Sequence, residues 1–478
     1  MTSPGSVLAA AVEEVERQRP EWNVPALELA VVAPGLDDLA TALGRRGVDD
    51  AEPIGATTLF HHGSCAKGYT ALLAALLAED GALDLDAPVH RLVPELRLPD
   101  PVLAQRITVR DLLSHRSGLG RHDLAWILRP ELDSTGLLEA LAVLPPAGDL
   151  RAGFGYSNFG YGLVGIALER ATGVGWAELV RQRVLHPAGM KQTVLDAFPQ
   201  ADSPPDRATP HLLRDGRPVP TAWRTIGSVA SAGQLVTCAE DAAAWLHVQL
   251  GDGPPAIPAA AVRATHAAAV TLPPEVNSHP PLRWLGYGLG WVTGTFRGRP
   301  VLWHSGGVDG FLTNTLLLPE DGIGVTASAS LHMSDFPFAV VHELADRLLG
   351  TAGVPSWYER ARAEAEPPAP ATPRRRPDAS PVHALAEYAG EYVDPGYGRL
   401  VITVADGALA ACLESGELAL THRHFDTWDA RYDQLDDAFP LTFLTDADGA
   451  VAEIRVPIDA GAPPVSFRRL EPTQGDNR

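Results

Sequence analysis

The chain has 478 residues, 45% of them hydrophobic, and a formal net charge of -21; this is enough for two or three domains and a large core, and the acidity argues against nucleic acid or an anionic membrane as partner. Its three cysteines, Cys65, Cys238 and Cys412, are scattered and in no C-x-x-C spacing, the usage of a reducing compartment and not of a disulfide framework. With no signal-peptide pattern at the start and no stretch of membrane-spanning length, the expected location is cytoplasmic.

Leu8, Val12 and Val15 on one side, with Glu13, Glu14, Glu16 and Arg17 on the other, predict an amphipathic first helix. Pro20 and Pro25 bracket a loop, and Leu27 to Val32 reads as a strand. The stretch Phe60-His61-His62-Gly63-Ser64-Cys65-Ala66-Lys67-Gly68-Tyr69-Thr70 then runs into the apolar residues Ala71 to Ala78 and stops at Gly81. That pattern predicts a buried helix opening at Ser64. Ile107 to Leu113 predicts a short helix with a capping-box-like Thr108 and Asp111. It leads into the polar loop Ser114 to Asp123, whose His115 and His122 read first as braces for backbone carbonyls and only second as catalytic groups. Tyr156 and Asn158 stand at a loop-to-helix junction, ahead of a helix from Leu163 to Ala171 ended by Gly173.

Pro199 to Pro220 lacks periodicity and reads as a substrate-facing insertion, and a helix is predicted over Ala239 to Leu250. Tyr287 to Val292 and Val301 to His304 read as antiparallel strands paired around Arg297-Gly298. The second enters His304-Ser305-Gly306-Gly307-Val308-Asp309-Gly310-Phe311, where glycines after a strand let a ligand carbonyl approach the backbone. Strands over Thr313 to Leu318 and Gly324 to Ser330 and a helix over Phe338 to Leu349 complete an α/β (α+β) unit.

From Ala363 to Pro381 the composition turns to Ala, Pro, Glu and Arg, which marks a linker and sets domains at 1–360 and 382–478 with 361–381 between them. The basic run Arg374-Arg375-Arg376 lies in it and is too short to offset the acidity. Seven short alternating strands follow, at 391–393, 400–404, 408–413, 418–421, 442–445, 452–456 and 465–469. With turns such as Asp406-Gly407 and Asp448-Gly449 they predict a small antiparallel barrel. His422 and His424 lack a third ligand, so no metal site is expected, and no cofactor.

The chemistry centres on Ser64 and Lys67, one helical turn apart and on one face. A hydroxyl is a poor nucleophile at neutral pH and needs a base, which a lysine in an apolar helix can supply once burial lowers its pKa. An N-cap serine and a snorkelling lysine would give the same four residues. Composition sharpens the choice: Lys67 and Lys191 are the only lysines among 38 basic residues, the rest being arginine, and guanidinium cannot lose its proton. The helix start offers backbone N–H groups, that of Ser64 among them, to a developing oxyanion. Tyr156 can act as acid or base, and Asn158 can hold a substrate group or the lysine. Cys65 is turned about a hundred degrees from Ser64 around the helix and reads as packing.

Together, Ser64-x-x-Lys67, Tyr156-x-Asn158 and His304-Ser305-Gly306 resemble, in order and separation, the motifs of the serine β-lactamase and penicillin-binding protein superfamily, most of all its class C β-lactamase-like branch. The likeness covers most of residues 20–350, and the C-terminal part looks like the lipocalin-like barrel that often follows such enzymes. No G-x-S-x-G elbow is present. The resemblance implies a β-lactamase/transpeptidase-like domain, an antiparallel sheet flanked by helices. It also implies an acyl-enzyme on Ser64, Lys67 as base partner, Tyr156 as proton shuttle, Asn158 on the substrate amide, and an oxyanion hole from the N–H groups of Ser64 and Gly307.

The departure is His304, where β-lactamases carry lysine; histidine is common in the superfamily's esterase, peptidase and cyclase members. The implied activity is that of a stand-alone penicillin-binding-protein-type thioesterase, which takes a nonribosomal peptide from a peptidyl carrier protein and closes the ring. The alternatives are a cytoplasmic esterase or D-stereospecific aminopeptidase and, in another class, a catalytically silent binding protein. The expected partner is accordingly a peptidyl (thio)ester or a small ester or amide.

Overall fold

The computed structural model describes residues 4–195, 206–273, 281–351, 355–365, 376, 379–414, 416–432, 438–458 and 462–470. Most of the 361–381 linker, Arg374 and Arg375, and the 199–205 part of the expected insertion lie outside them. Eight strands form the larger sheet: β1 (Ala26–Val32), β2 (Leu39–Gly44), β3 (Val270–Thr271), β4 (Leu282–Tyr287), β5 (Val292–Phe296), β6 (Arg299–Val308), β7 (Phe311–Leu318) and β8 (Ile323–Ala329). They lie in the order β2-β1-β8-β7-β6-β5-β4-β3, antiparallel throughout.

β1 is buried along its whole length, and its alternating side chains serve two cores. Leu27, Leu29 and Val31 pack with Leu8, Ala11 and Val15 of the first helix (Pro4–Gln18) and with the helix Phe336–Leu348. Ala26, Ala30 and Val32 face the other layer, which holds the helix Ala66–Glu79. The sheet is thus sandwiched between helices. Thr108 and Asp111 form the expected capping box of the helix Val109–Leu113.

Several elements differ from the sequence reading. Tyr287 to Val292 is not one strand: Tyr287 ends β4, the chain turns through a Gly288 N–H to Trp291 carbonyl bond of 2.8 Å, and Val292 opens β5. The turn at Arg297-Gly298 therefore joins β5 to β6. The helix expected from Leu163 starts earlier, at Asn158, capped by Ser157. Part of the unpatterned 199–220 stretch is a hairpin, His211–Arg214 on Arg217–Pro220. β2, absent from the sequence reading, is a half-buried strand of small residues.

The C-terminal strands close into a barrel, β9 (Gly390–Asp394), β10 (Gly398–Ala405), β11 (Ala408–Leu413), β12 (Gly416–His424), β13 (Thr427–Tyr432), β14 (Ala438–Thr445), β15 (Val451–Val456) and β16 (Val465–Arg469). There are eight strands, not seven. β13 does alternate, the buried Trp428, Ala430 and Tyr432 with Asp429 and Arg431, and the sequence reading passed over it. The barrel shares one apolar core with the larger domain. Its Gly396 and Gly416 lie against Leu144 and Leu128.

Candidate active site

The chain enters the site along Phe60–His61, paired with Val236–Thr237, and passes through one turn of 3-10 helix, Gly63–Cys65, into the helix Ala66–Glu79. From Thr58 to Leu77 every residue is buried except Ser64. The turn is pressed onto β6. A Cβ on Gly306 would lie 1.8 Å from the His62 carbonyl oxygen and 2.9 Å from the Ser64 nitrogen, so only glycine lets the strand come this close. The expectation that these glycines follow a strand and admit a ligand is thus corrected at Gly306, which lies within β6 and admits the chain's own carbonyl.

Lys67 is fully buried. Its Nζ lies 3.1 Å from Ser64 Oγ, 2.8 Å from Asn158 Oδ1 and 2.8 Å from the Ala232 carbonyl. Burial holds its pKa well below the ordinary 10.5 against the opposing pull of Asp123. The Asn158 and Ala232 carbonyl oxygens hold Nζ at this distance from Ser64 Oγ, from which an amine that has lost its proton can take that of the hydroxyl.

Tyr156 hydrogen-bonds the Ser64 side chain, and burial raises its pKa above the ordinary 10.0. Arg121, whose guanidinium carbon stands 5.4 Å from the centre of the Tyr156 ring, does not reverse that, so the phenol stays protonated. Ser64 Oγ accordingly sits between an amine of depressed pKa and a neutral phenol.

Asn158 joins this pair to the loop behind it. Its Oδ1 accepts from Lys67 and its Nδ2 donates to Asp123 Oδ1 at 2.9 Å. Asp123 also accepts from Trp126 Nε1 at 3.0 Å and from Arg121 Nε at 2.5 Å. Of the two roles open to Asn158, these bonds describe the holding of the lysine.

His304, on β6, donates through Nδ1 to the Ser305 carbonyl at 2.6 Å and accepts through Nε2 from the Tyr287 hydroxyl at 3.0 Å. Burial, reinforced by Lys67, pushes its pKa down to about 3. The ring is neutral, 6.5 Å from that of Tyr156 between centres, with both nitrogens engaged away from Ser64. Gly307 is exposed and faces the turn: a Cβ on Gly63 would meet its carbonyl oxygen at 3.0 Å. β5 borders β6 only as far as Trp303, so among the described residues no strand pairs with residues 304–308 on the side away from β7.

The sequence reading left Asp123, Tyr287 and the Ala232 carbonyl out of the site, and its account of the two loop histidines holds for one of them. His122 bonds the Pro145 carbonyl at 2.8 Å. His115 instead accepts the Ser157 N–H at 3.2 Å and lays its ring 4.2 Å from that of Tyr156. The density of polar groups in the Ser114 to Asp123 loop was the available signal; the positive φ of both histidines leaves none. No helix among the described residues is long and apolar enough to cross a membrane. No group of three His, Cys, Asp or Glu among them could hold a metal ion.

Residues 12–349 match the Beta-lactamase family. The chain belongs to that family. Residues 374–471 match a domain of unknown function (DUF3471), which here includes the closed barrel. The unguisins hydrolase ungD' of Aspergillus campestris is 28% identical over 82% of this chain and 76% of its own length. Penicillin-binding protein 4 of Amycolatopsis lactamdurans is 27% identical over 65% of this chain and 82% of its own. Among solved structures, that of SurE superposes with a TM-score of 0.60 at 25% identity, covering 98% of this chain and all of the other. A class C β-lactamase from Rhodobacter sphaeroides shares the fold over 72% of this chain, with a TM-score of 0.58. The family is one of serine hydrolases and acyltransferases.

Proposed function

We propose that the protein is a serine acyl-transfer enzyme of the penicillin-binding-protein-type thioesterase kind, which releases a nonribosomal peptide from a (thio)ester and closes it into a ring. The observation that carries the reading is the fully buried Lys67 amine 3.1 Å from Ser64 Oγ, its pKa held well below the ordinary lysine value by burial. Lys67 takes the hydroxyl proton as Oγ bonds the acyl carbon, and the resulting oxyanion is met by the N–H groups of Ser64 and Gly307. As the tetrahedral intermediate collapses, the carbon–sulfur or carbon–oxygen bond breaks and the Tyr156 phenol gives its proton to the leaving atom. The Lys67 ammonium then restores the phenol. In the second half the acceptor amine, or water, gives its proton to Lys67 as it attacks the acyl-enzyme, and Ser64 Oγ leaves protonated.

The neutral His304 supports the choice of donor, since it offers no fixed charge to a carboxylate beside the scissile bond. The stretch of β6 at residues 304–308, unpaired on one side among the described residues, suits an extended peptide. SurE has been solved with D-Leu, which favours a donor ending in a D residue. The relative named for unguisins hydrolysis favours water as acceptor for some substrates, so an esterase or amidase is the second reading. A peptidyl carrier protein is the proposed source of the thioester.

The test is incubation with a linear peptide thioester bearing a free amine and a D C-terminal residue. Cyclic product from the wild type and none from Ser64→Ala is expected; free acid alone from every D-terminated peptide removes the cyclase. Absence of any Ser64 adduct after a fluorophosphonate removes the acyl-enzyme and leaves the silent binding protein.

A further inference from the structure

Beneath the nucleophile turn lies a buried acid–imidazole pair that the mechanism does not use. Glu28, on the central part of β1, has no exposed surface and reaches His62 Nε2 through Oε2 at 2.8 Å. Its other oxygen, Oε1, is buried without a hydrogen-bond partner. Around it β1 offers Ala26 and Ala30, and burial pushes the Glu28 pKa up. Two apolar side chains would fill this space at lower cost. They could not fix the direction of the His62 residue.

That direction matters because of what the His62 backbone does. Its N–H is tied to the Leu235 carbonyl at 2.8 Å, and its carbonyl accepts the Cys65 N–H at 3.2 Å. The same oxygen is the atom against which Gly306 of β6 is packed. With the ring held by Glu28 at one end and the carbonyl set on Gly306 at the other, His62 ties β1 to the contact between the Ser64 turn and the Gly306-Gly307 stretch. The spacing of the Ser64 and Gly307 amides is the spacing of the two oxyanion donors.

We infer that Glu28 and His62 are positioning residues: their buried hydrogen bond holds the nucleophile turn against β6 and so sets the oxyanion hole. The inference rests on the acyl-enzyme reading for its consequence in rate, and on geometry alone for its consequence in structure.

The test compares wild type, Glu28→Gln, Glu28→Leu and the double variant Glu28→Leu/His62→Leu. Two readouts are used: the second-order rate of fluorophosphonate capture at Ser64, and amide hydrogen exchange over residues 62–65 and 304–308. The double variant removes both polar groups and is expected to fold at least as stably as the wild type. It is nonetheless expected to be captured about 100-fold more slowly, the loss typical of one misplaced oxyanion donor, with faster exchange confined to those two segments. Glu28→Gln, which can still accept from His62, recovers most of the rate.

Wild-type rate and wild-type protection in the double variant would overturn the inference, since a merely structural pair predicts that result. If the double variant does not fold, a Glu28→Gln protein as slow and as fast-exchanging as Glu28→Leu overturns it instead. A wild type that is never captured while the exchange difference persists would refute the acyl-enzyme and leave the positioning role standing.

Discussion

At the scale of single residues, the reactivity of the site is set by the cost of a buried charge. An ammonium enclosed as Lys67 is loses its hydration, and three acceptors at its Nζ do not restore the amine's ordinary basicity. The acylation rate should therefore rise with pH as Lys67 loses its proton, with an acid limb well below the ordinary lysine value. Because burial raises Tyr156 and does not lower it, the alkaline side should stay flat through the range where an exposed phenol would ionise. Fluorophosphonate capture measured against pH checks both limbs. Lys67→Arg keeps a positive charge but cannot give it up, so capture should fall by about 10²- to 10⁴-fold. These two residues were legible in the sequence because arginine takes nearly every other basic position. Glu28 was not: one acid in an apolar strand, 34 residues from its histidine, carries no periodicity. Asp123 lay in a loop whose path depends on three residues at positive φ, His115, Gly118 and His122.

At the scale of elements, the site is a contact between one turn and one strand, and its tolerance is that of backbone against backbone. Gly306→Ala would put a methyl group well inside van der Waals contact with the His62 oxygen and the Ser64 nitrogen, and neither is the far end of a flexible side chain. Overpacking of this kind costs ~1–3 kcal/mol. Here it should also push Ser64 away from Gly307, so the variant is expected to lose several degrees in Tm and nearly all capture at Ser64. A Gly306→Ala protein that labels at the wild-type rate would show that the contact does not set the donor spacing. The element signals that survived in the sequence are those with a local cause. The Thr108–Asp111 capping box and the Gly173 stop are each written within a few residues. β2 was missed because pairing with β1, not its own alternation, makes it a strand; β13 does alternate, Trp428, Ala430 and Tyr432 with Asp429 and Arg431, over six residues only.

At the scale of the whole molecule, the barrel meets the larger domain at the loops that serve the site. Tyr397, between β9 and β10, bonds His122 Nδ1 at 2.8 Å, and His122 is the neighbour of Asp123. Arg224 bridges three elements: it pairs with Asp309 at 2.5 Å, two residues beyond Gly307, donates to the Ile127 carbonyl at 2.9 Å and reaches the Tyr432 hydroxyl of β13 at 3.2 Å. Seen from the sequence alone, Arg224 is one arginine among thirty-six, and only the docking of the barrel gives it meaning. Both members of its ion pair are largely buried, with 14% and 13% of their side-chain surfaces exposed. Removing the cation thus leaves a carboxylate without its charge partner, a change that costs ~3–5 kcal/mol in buried pairs. Arg224→Met is expected to lower Tm and to slow Ser64 capture together, because the turn after β6 is freed on the side of the oxyanion strand. Tyr432→Phe removes the hydroxyl that Arg224 reaches and should cost ~1 kcal/mol while leaving capture close to wild type. If Tyr432→Phe instead slows capture as much as Arg224→Met, the barrel's hydroxyl holds the oxyanion strand in place. If Arg224→Met loses stability alone, the bridge fastens two domains without reaching the chemistry.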